Sequence, residues 1–192
     1  MINTVKKIKW NIVLIGAGEL GSRHLQSLIK MNLAVKISVM EPSNESILTA
    51  KDRMSEISID HKVEVEFVGA IEDLPRNIDL AIVATGAAPR MMIIKSLVAH
   101  ANIKFMLLEK VLFQKLDEYD EAQDILKKLN IACWVNCPRR MFDGYGALKL
   151  NLDIKKPIEM QVQGGNWGLA CNAIHYIDIF AFLTNSKIKF ID

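Results

Sequence analysis

The sequence is poor in the features that mark several large classes of protein. Its 192 residues include only three cysteines, at 133, 137 and 171, which form no C-x-x-C pair and indicate reduced thiols rather than a disulfide framework or a zinc finger. Ten glycines and five prolines are too few for a fibrous or low-complexity chain. No uninterrupted apolar run approaches the roughly 18 residues of a membrane span. We therefore expect a cytoplasmic, globular protein with no membrane partner and no bound metal.

An excess of charge of one sign is also lacking. The chain has 24 Lys and Arg against 22 Asp and Glu, a net charge of +2, and the two signs are interleaved along the sequence. A nucleic-acid-binding protein normally carries a basic patch or stripe, so we expect no nucleic-acid partner. Lysines precede an apolar stretch at the N-terminus, but that stretch runs into a glycine turn without a small-residue cleavage site. We interpret it as a first buried strand rather than a secretory signal.

Hydrophobic residues, at 51%, are abundant enough for a sizeable core, and their spacing alternates between two periods. Short apolar runs predict strands at 8–15, 35–40, 63–68, 78–85, 104–109 and 131–135. Apolar residues at helical spacing predict helices at 19–31, 44–57, 89–101 and 117–130. Asn44 is placed to cap the second of these helices, and Pro89 lies in the first turn of the third. The alternation predicts the α/β class, with a doubly wound parallel sheet covered on both faces.

The pattern changes after about residue 137. A loop with two arginines leads to a helix near 142–153, a strand near 157–163, a helix near 172–184 and a last short run at 187–191. We predict a first domain over 1–120 and an incomplete α+β second domain, for substrate and oligomer contacts, over 121–192. Because a lone strand exposes unpaired edges and one apolar face, we expect either a second copy or the short C-terminal run to cover it, and we favour a homodimer over a monomer.

A glycine-rich turn connects the first predicted strand to the first helix. The hexamer GAGELG at 16–21 fits G-x-G-x-x-G, a weak pattern alone, but it lies at the first crossover of a parallel sheet. There Gly16 permits a tight turn, Gly18 lets the backbone approach a pyrophosphate, and Gly21 allows close packing of helix on strand. The N–H groups at the helix start, at Glu19 and Leu20, favour an anion. The turn predicts that 1–120 binds a dinucleotide.

Glu41 ends the second predicted strand, about 20 residues beyond Gly21. A carboxylate there accepts a hydrogen bond from a ribose hydroxyl and repels a 2′-phosphate, so NAD is favoured over NADP. Two alternatives stay open at this point. One is a glycine turn in a parallel sheet that binds no nucleotide. The other is an S-adenosylmethionine site, which presents a similar turn and an acidic second strand.

Several stretches, taken in order, carry a resemblance to one family. They are IGAGELGSRH at 15–24, IVATGAAPR at 82–90, LLEKVLF at 107–113, NCPRRMFDGY at 136–145 and GLACNAIHYID at 168–178. Their order resembles the glucose–fructose oxidoreductase / inositol dehydrogenase / MocA (Gfo/Idh/MocA) family, nicotinamide-dependent oxidoreductases that act largely on sugars and cyclitols. The resemblance implies a Rossmann-type fold, an NAD cofactor and a small, sugar-like substrate.

The chain departs from the family pattern at several positions. The family's Thr-Pro-Asn turn keeps only Thr85, and Arg90 stands where the family has a following His. Val111 replaces the proline of Glu-Lys-Pro, and Cys171 replaces an Asp that lies four residues before a helical His. Family members also have a complete second domain with a large open sheet, whereas this chain has only the beginning of one.

The resemblance implies that Lys110 and His175 are catalytic and that Thr85 and Glu109 lie near the nicotinamide. Lys110 follows the fifth strand, at the edge where open α/β sheets bind ligands, and a lysine there donates to a substrate hydroxyl or carbonyl. The alternative is an exposed loop lysine. His175 shares one helical stripe with Asp178. It acts either as a general base held by that carboxylate or as a core histidine that the carboxylate satisfies.

Three further residues have polar side chains that suit a substrate. Arg139 and Arg140 precede a helix, and a guanidinium binds phosphate or carboxylate well, with a salt bridge across the domain junction as the alternative. Asn172 either binds a sugar hydroxyl or caps the last helix.

Two hypotheses of function follow from the residues and the resemblance. The first is an NAD(H)-dependent oxidoreductase that transfers hydride to or from a sugar, nucleotide sugar or cyclitol. The second is a catalytically silent nucleotide-binding module, derived from such an enzyme, that acts as a partner or sensor. Lys110 and His175 favour the first hypothesis, and the missing second sheet favours the second.

Overall fold

The computed structural model describes residues 9–189, and within them six strands form one parallel sheet in the order β3-β2-β1-β4-β5-β6. The strands are β1 (Trp10–Ile15), β2 (Val35–Met40), β3 (Val63–Val68), β4 (Asn77–Val83), β5 (Asn102–Leu108) and β6 (Ala132–Val135). The α-helices are α1 (Glu19–Ile29), α2 (Asn44–Ser55), α3 (Ala87–His100), α4 (Asp117–Lys128), α5 (Asp143–Asn151) and α6 (Leu169–Thr184). The strand order and direction confirm the predicted doubly wound, Rossmann-type sheet.

The predicted elements of the sheet all form, with ends that differ by a few residues. Ser43 rather than Asn44 caps α2, because Ser43 has extended backbone and its hydroxyl accepts from the Ser46 N–H at 3.3 Å. Ile8, the first residue of the first predicted strand, lies outside the described residues, as do the last two residues of the predicted run at 187–191.

Both faces of the sheet are buried, as the continuous apolar runs predict. In β1, Ile12 and Leu14 face one side, while Val13 and Ile15 face the other. The first side packs against α1 and α2 through a cluster that includes Leu25, Leu28, Ile29 and Ala50. The second side packs against α3 and α4 through a cluster that includes Met91, Ile94, Leu97 and Ala122. Burial of this apolar area is the main stabilising contribution to the sheet.

The register of the strands brings their carboxyl ends to one edge. Ile15 is paired with Met40 of β2 and with Val83 of β4, and Val83 is paired with Leu108 of β5. The chain reverses its direction of winding between β1 and β4, the switch point at which open α/β sheets bind ligands. The residues that follow these four strands therefore lie close together.

The chain divides into two compact units, of which the first ends at Val135 and the second begins at Asn136. The boundary lies beyond the expected one at 120/121, because α4 and β6 complete the sheet. β6 is hydrogen-bonded to β5, with Phe105 paired with Ala132 and Leu108 with Val135.

The second unit contains α5, α6 and a short 3-10 helix at Pro138–Met141, and in its described part it is helical. The strand predicted near 157–163 does not form, because no other strand of the second unit's described part pairs with it. Ile158 and Val162 instead line a cavity of about 410 Å³ together with side chains of α5 and α6. None of the helices within residues 9–189 combines the length and apolar character needed to cross a membrane.

Two glycines shape the turn between β1 and α1. Gly16 has a φ of +89°, a conformation that other residues adopt only with strain, and its N–H donates to the Met40 carbonyl at 2.9 Å. Gly21 lies in the first turn of α1, and a side-chain carbon placed there would overlap the carbonyl oxygen of Gly16. The helix therefore approaches the end of β1 as closely as only a glycine permits.

We expect the substitution Gly21→Ala to lower the free energy of unfolding by about 1–3 kcal/mol, because the new methyl group must displace the backbone of the turn. Denaturant unfolding followed by circular dichroism measures this change. Gly69→Ala is the control, since an added carbon at Gly69 meets nothing within 4 Å. Equal stability of the two variants would contradict the close approach of α1 to Gly16.

Candidate functional site

The glycine turn presents open backbone at the carboxyl edge of the sheet. Gly18 is the N-cap of α1, and a side-chain carbon placed there would meet nothing within 4 Å. Glu19 and Leu20 are the first residues of α1, and N–H groups at such positions have no partner within the helix. An oriented set of N–H groups beside uncovered backbone suits a phosphate or pyrophosphate group.

Arg53 of α2 binds the first turn of α1. Its guanidinium donates to both carboxylate oxygens of Glu19, at 2.6 and 2.7 Å, and to the Ser22 hydroxyl at 2.6 Å. The hydrogen bond from Arg53 lowers the pKa of the exposed Glu19 carboxyl. The Glu19 side chain is thus engaged with Arg53, which leaves its backbone as the part suited to a ligand.

Glu41 is buried at the end of β2 and binds the glycine turn directly. Its Oε2 accepts from the Ala17 N–H at 2.7 Å, and its Oε1 accepts from the Ser43 N–H at 2.9 Å. Each carboxylate oxygen has a second lone pair, so the group is still able to accept a ribose hydroxyl. Sequence reasoning assigned Glu41 only to the ribose, and it missed the bond that attaches the turn to β2.

Thr85 follows β4 and lies against the glycine turn. Its methyl carbon is 3.2 Å from the point where a Cβ of Gly16 would lie. The residue before it, Ala84, continues the pairing of β4 with β1, since the Ala84 N–H donates to the Ile15 carbonyl at 2.8 Å. The Thr85 hydroxyl is buried and has no hydrogen-bond partner among the described residues. Buried hydroxyls normally have partners, so this one fits the polar part of a bound ligand.

Glu109 follows β5 and is only 4% exposed. Its N–H donates to the Val83 carbonyl at 3.1 Å, and its Oε1 lies 2.8 Å from Nε2 of His24 on α1. From the sequence, His24 was assigned no role. The signal was its spacing of three residues from Gly21, which puts His24 on the face of α1 that packs close to the sheet.

Arg90, on α3, is 1% exposed and was noted from the sequence only as a departure from the family pattern. Its Nη1 donates to the carbonyls of Val111 and Leu112, at 2.6 and 2.7 Å, and its Nη2 donates to the Thr85 carbonyl. Burial lowers the pKa of Arg90, and the negative charge of Glu109 opposes that decrease. A buried cation therefore connects the loops that follow β4 and β5.

Lys110 follows the buried Glu109 in sequence and precedes the two residues whose carbonyls bind Arg90. It is partly exposed, and its peptide bond to Val111 is cis. The first unit thus gathers at one sheet edge most of the residues that the sequence predicted for a site: Gly16, Gly18, Glu19, Leu20, Gly21, Glu41, Thr85, Glu109 and Lys110. Open backbone, a buried carboxylate and an unpartnered hydroxyl fit an NAD molecule at this edge.

The remaining predicted residues belong to the second unit. His175 lies on α6, and Asp178, one turn further on, accepts two hydrogen bonds from Arg140, with Nε to Oδ2 at 2.9 Å and Nη2 to Oδ1. The hydrogen bond that Arg140 donates to Asp178 raises the pKa of Arg140. Arg140 thus forms a salt bridge, which lies within the second unit and not across the domain junction. The structure also shows that the carboxylate assigned to His175 is engaged by an arginine.

Arg139 and Asn172 are also engaged within the second unit. The Arg139 guanidinium lies 4.4 Å from the centroid of the Tyr176 ring, a cation–π contact. Asn172 does not cap α6, because the helix begins at Leu169 with Gly168 as its N-cap. Its amide nitrogen donates instead to the carbonyls of Trp167 and Gly168, at 2.8 and 3.3 Å. Arg139 therefore contacts α6, and Asn172 binds the residues just before it.

The sequence from Trp10 to Cys137 matches a family model described as an oxidoreductase family with an NAD-binding Rossmann fold. The matched range includes all six strands of the sheet and the carboxyl edge described above. The cofactor in that description, NAD, is the one that the glycine turn and Glu41 predict. No curated protein sequence matches the chain.

Solved structures of similar fold include a probable dehydrogenase from Thermotoga maritima, at 19% identity and a TM-score of 0.68, with 93% of this chain and 56% of that one covered. A myo-inositol 2-dehydrogenase from Lactobacillus plantarum has 22% identity and a TM-score of 0.70, with 93% and 57% covered. A super-repressor mutant of Gal80p from Saccharomyces cerevisiae has 15% identity and a TM-score of 0.68, with 94% and 53% covered.

These identities are low, so the likeness concerns the fold, and the chain spans a little over half the length of the structures it matches. The family is established by the match across residues 10–137. The Rossmann sheet, the glycine turn and the motifs after β4 and β5 all lie in that range. The chain belongs to the Gfo/Idh/MocA oxidoreductase family.

Proposed function

We propose that this chain acts as an NAD(H)-dependent oxidoreductase that transfers hydride to or from a sugar, nucleotide sugar or cyclitol. The observation that carries the proposal is the meeting of two groups at the carboxyl edge of one sheet. The glycine turn, held by the buried Glu41, follows β1, and Lys110 follows β5, whose end is level with that of β4. A nucleotide site and a proton-transfer group therefore share one edge.

Each residue of this edge has a role in the proposed reaction. NAD, when bound, supplies the hydride acceptor or, as NADH, the donor. The N–H groups at the start of α1 hold the pyrophosphate, and Glu41 accepts a ribose hydroxyl. Thr85 offers the cofactor its hydroxyl, which has no partner within residues 9–189. Lys110 donates to the substrate oxygen and takes up or releases its proton. His175 enters the proposal through the resemblance, as a second proton-transfer group.

The proposed substrate class rests on the family and on the inositol dehydrogenase of similar fold. Sugars and cyclitols present several hydroxyls, and the sequence offers three polar side chains that suit such a substrate. Those side chains are Arg139, Arg140 and Asn172. Because Arg140 is paired with Asp178, its binding of a substrate requires that the carboxylate be shared or released.

A second candidate function is a nucleotide-binding module that lacks catalysis and acts as a partner or sensor. The salt bridge between Arg140 and Asp178 favours it, since both charges are already paired. The likeness of fold to a protein described as a super-repressor mutant also favours it, because that name indicates a regulatory role for the other protein. Reduction of NAD assayed over a panel of sugars, nucleotide sugars and cyclitols separates the two candidates.

We also propose that the chain forms a homodimer. The strand near 157–163 that a second copy was expected to cover does not form within the described residues, so the proposal rests on the first unit, which leaves apolar side chains exposed, among them Trp134 at 55%. Light scattering should give about twice the chain mass of 21.6 kDa. A single-chain mass at high protein concentration would contradict the proposal.

NADH should bind at least about tenfold more tightly than NADPH, a difference of about 1.4 kcal/mol, because the Glu41 carboxylate repels a 2′-phosphate. Calorimetric titration with both nucleotides measures the difference. Glu41→Gln should reduce it, whereas Glu45→Gln, on the exposed first turn of α2, should leave it unchanged. Equal affinities for the two nucleotides in the wild type would remove Glu41 from the proposed role.

Substitution of Lys110 or His175 by Ala should lower kcat by about a hundredfold or more, because each loses a group that moves the substrate proton. The Kd for NADH should stay nearly the same, as measured by fluorescence titration. Lys104→Ala is the matched control, since Lys104 is an exposed lysine of β5 that binds Asp79. Full activity of both variants would show that the family roles do not apply to these positions.

A further inference from the structure

The fully buried Arg90 binds only backbone carbonyls in the hydrogen bonds described above. These carbonyls belong to Thr85, in the loop after β4, and to Val111 and Leu112, in the segment after β5. Its Nε is buried and has no hydrogen-bond partner among the described residues. An arginine that pairs with a carboxylate commonly donates two parallel N–H···O hydrogen bonds to its two oxygens. Arg90 directs its terminal nitrogens at the two loops instead.

Lys110 is held on both sides by this arrangement. Before it, the Glu109 N–H donates to the Val83 carbonyl, and the Glu109 carboxylate binds His24. After it, the next two carbonyls accept from Arg90. The backbone on either side of Lys110 is therefore attached to buried groups, while its own side chain is partly exposed.

A buried guanidinium is costly unless its donors are satisfied. An apolar side chain would fill the same volume without that cost, but it would leave three carbonyls without their donor. A guanidinium offers five N–H donors, more than any other side chain. An arginine is thus suited to bind three carbonyls from two different loops.

We propose that Arg90 is a positioning residue, which ties the loop carrying Thr85 to the segment after Lys110 and so fixes Lys110 at the sheet edge. The inference deepens the proposed function and rests on it, because Lys110 is the catalytic group that Arg90 positions. The attachment itself is a property of the cofactor-free chain and is testable without turnover.

The first test is hydrogen exchange of the cofactor-free protein, read by mass spectrometry of peptides. In Arg90→Met, amides at 109–113 should exchange at least about tenfold faster, while those of β1 keep the wild-type rate. Arg90→Lys keeps the positive charge and three N–H donors, so the exchange rate at 109–113 in this variant should lie between those of the wild type and Arg90→Met. Arg76→Met is the control. It removes one exposed hydrogen bond to the His100 carbonyl and should leave the exchange rate at 109–113 unchanged.

Either of two results would overturn the proposal. One is wild-type exchange at 109–113 in Arg90→Met, and the other is equal acceleration throughout the sheet. If Arg90→Met fails to fold, the same comparison is made with Arg90→Lys, in which acceleration confined to 109–113 supports the proposal and uniform or absent acceleration overturns it.

The second test uses kinetics. In Arg90→Lys, kcat should fall by about tenfold, and the Kd for NADH should change by a smaller factor, because Arg90 binds two carbonyls of the segment after Lys110 but only the Thr85 carbonyl in the loop near the nucleotide. A loss of NADH affinity with unchanged kcat would contradict a role through Lys110. A wild-type chain without turnover would defeat the proposed oxidoreductase and leave the hydrogen-exchange test of Arg90 intact.

Discussion

Burial of charge at the carboxyl edge of the sheet is the constraint on which the site depends. Glu41, Arg90 and Glu109 are each less than a tenth exposed, and all three lie at or beside this edge. A buried charge without partners would cost several kcal/mol. Each therefore requires specific groups: backbone N–H for Glu41, backbone carbonyls for Arg90, and His24 for Glu109. These hydrogen bonds hold the loops after β1, β4 and β5 in one arrangement.

The three buried charges act on different segments of the chain. Glu41 attaches the glycine turn to the end of β2, so the turn is ordered by the same carboxylate that is suited to bind a ribose. Glu109 attaches the end of β5 to α1 through His24, and Arg90 attaches the segment after it to the loop after β4. A cofactor at this edge meets a surface that is already organised, which lowers the cost of binding.

The second unit follows a different principle. Its described part has few buried side chains, and its Arg140 is paired near the surface with Asp178. Arg139 and Asn172 are likewise occupied by contacts around α6. The polar side chains proposed for a substrate are therefore already engaged by other groups of the second unit.

Periodicity and motif spacing were enough to predict the parallel sheet, its helices, the glycine turn and the acidic end of β2, because these depend on local chemistry. The bonds of His24 to Glu109 and of Arg90 to the carbonyls after Lys110 were not predicted, since they join residues far apart in sequence. The segment near 157–163 has the alternation of a strand but lacks a strand partner in the second unit's described part. The sequence by itself determined which residues reach the sheet edge. Only the tertiary structure decided which of them are paired, because pairing depends on the register of strands and the approach of loops.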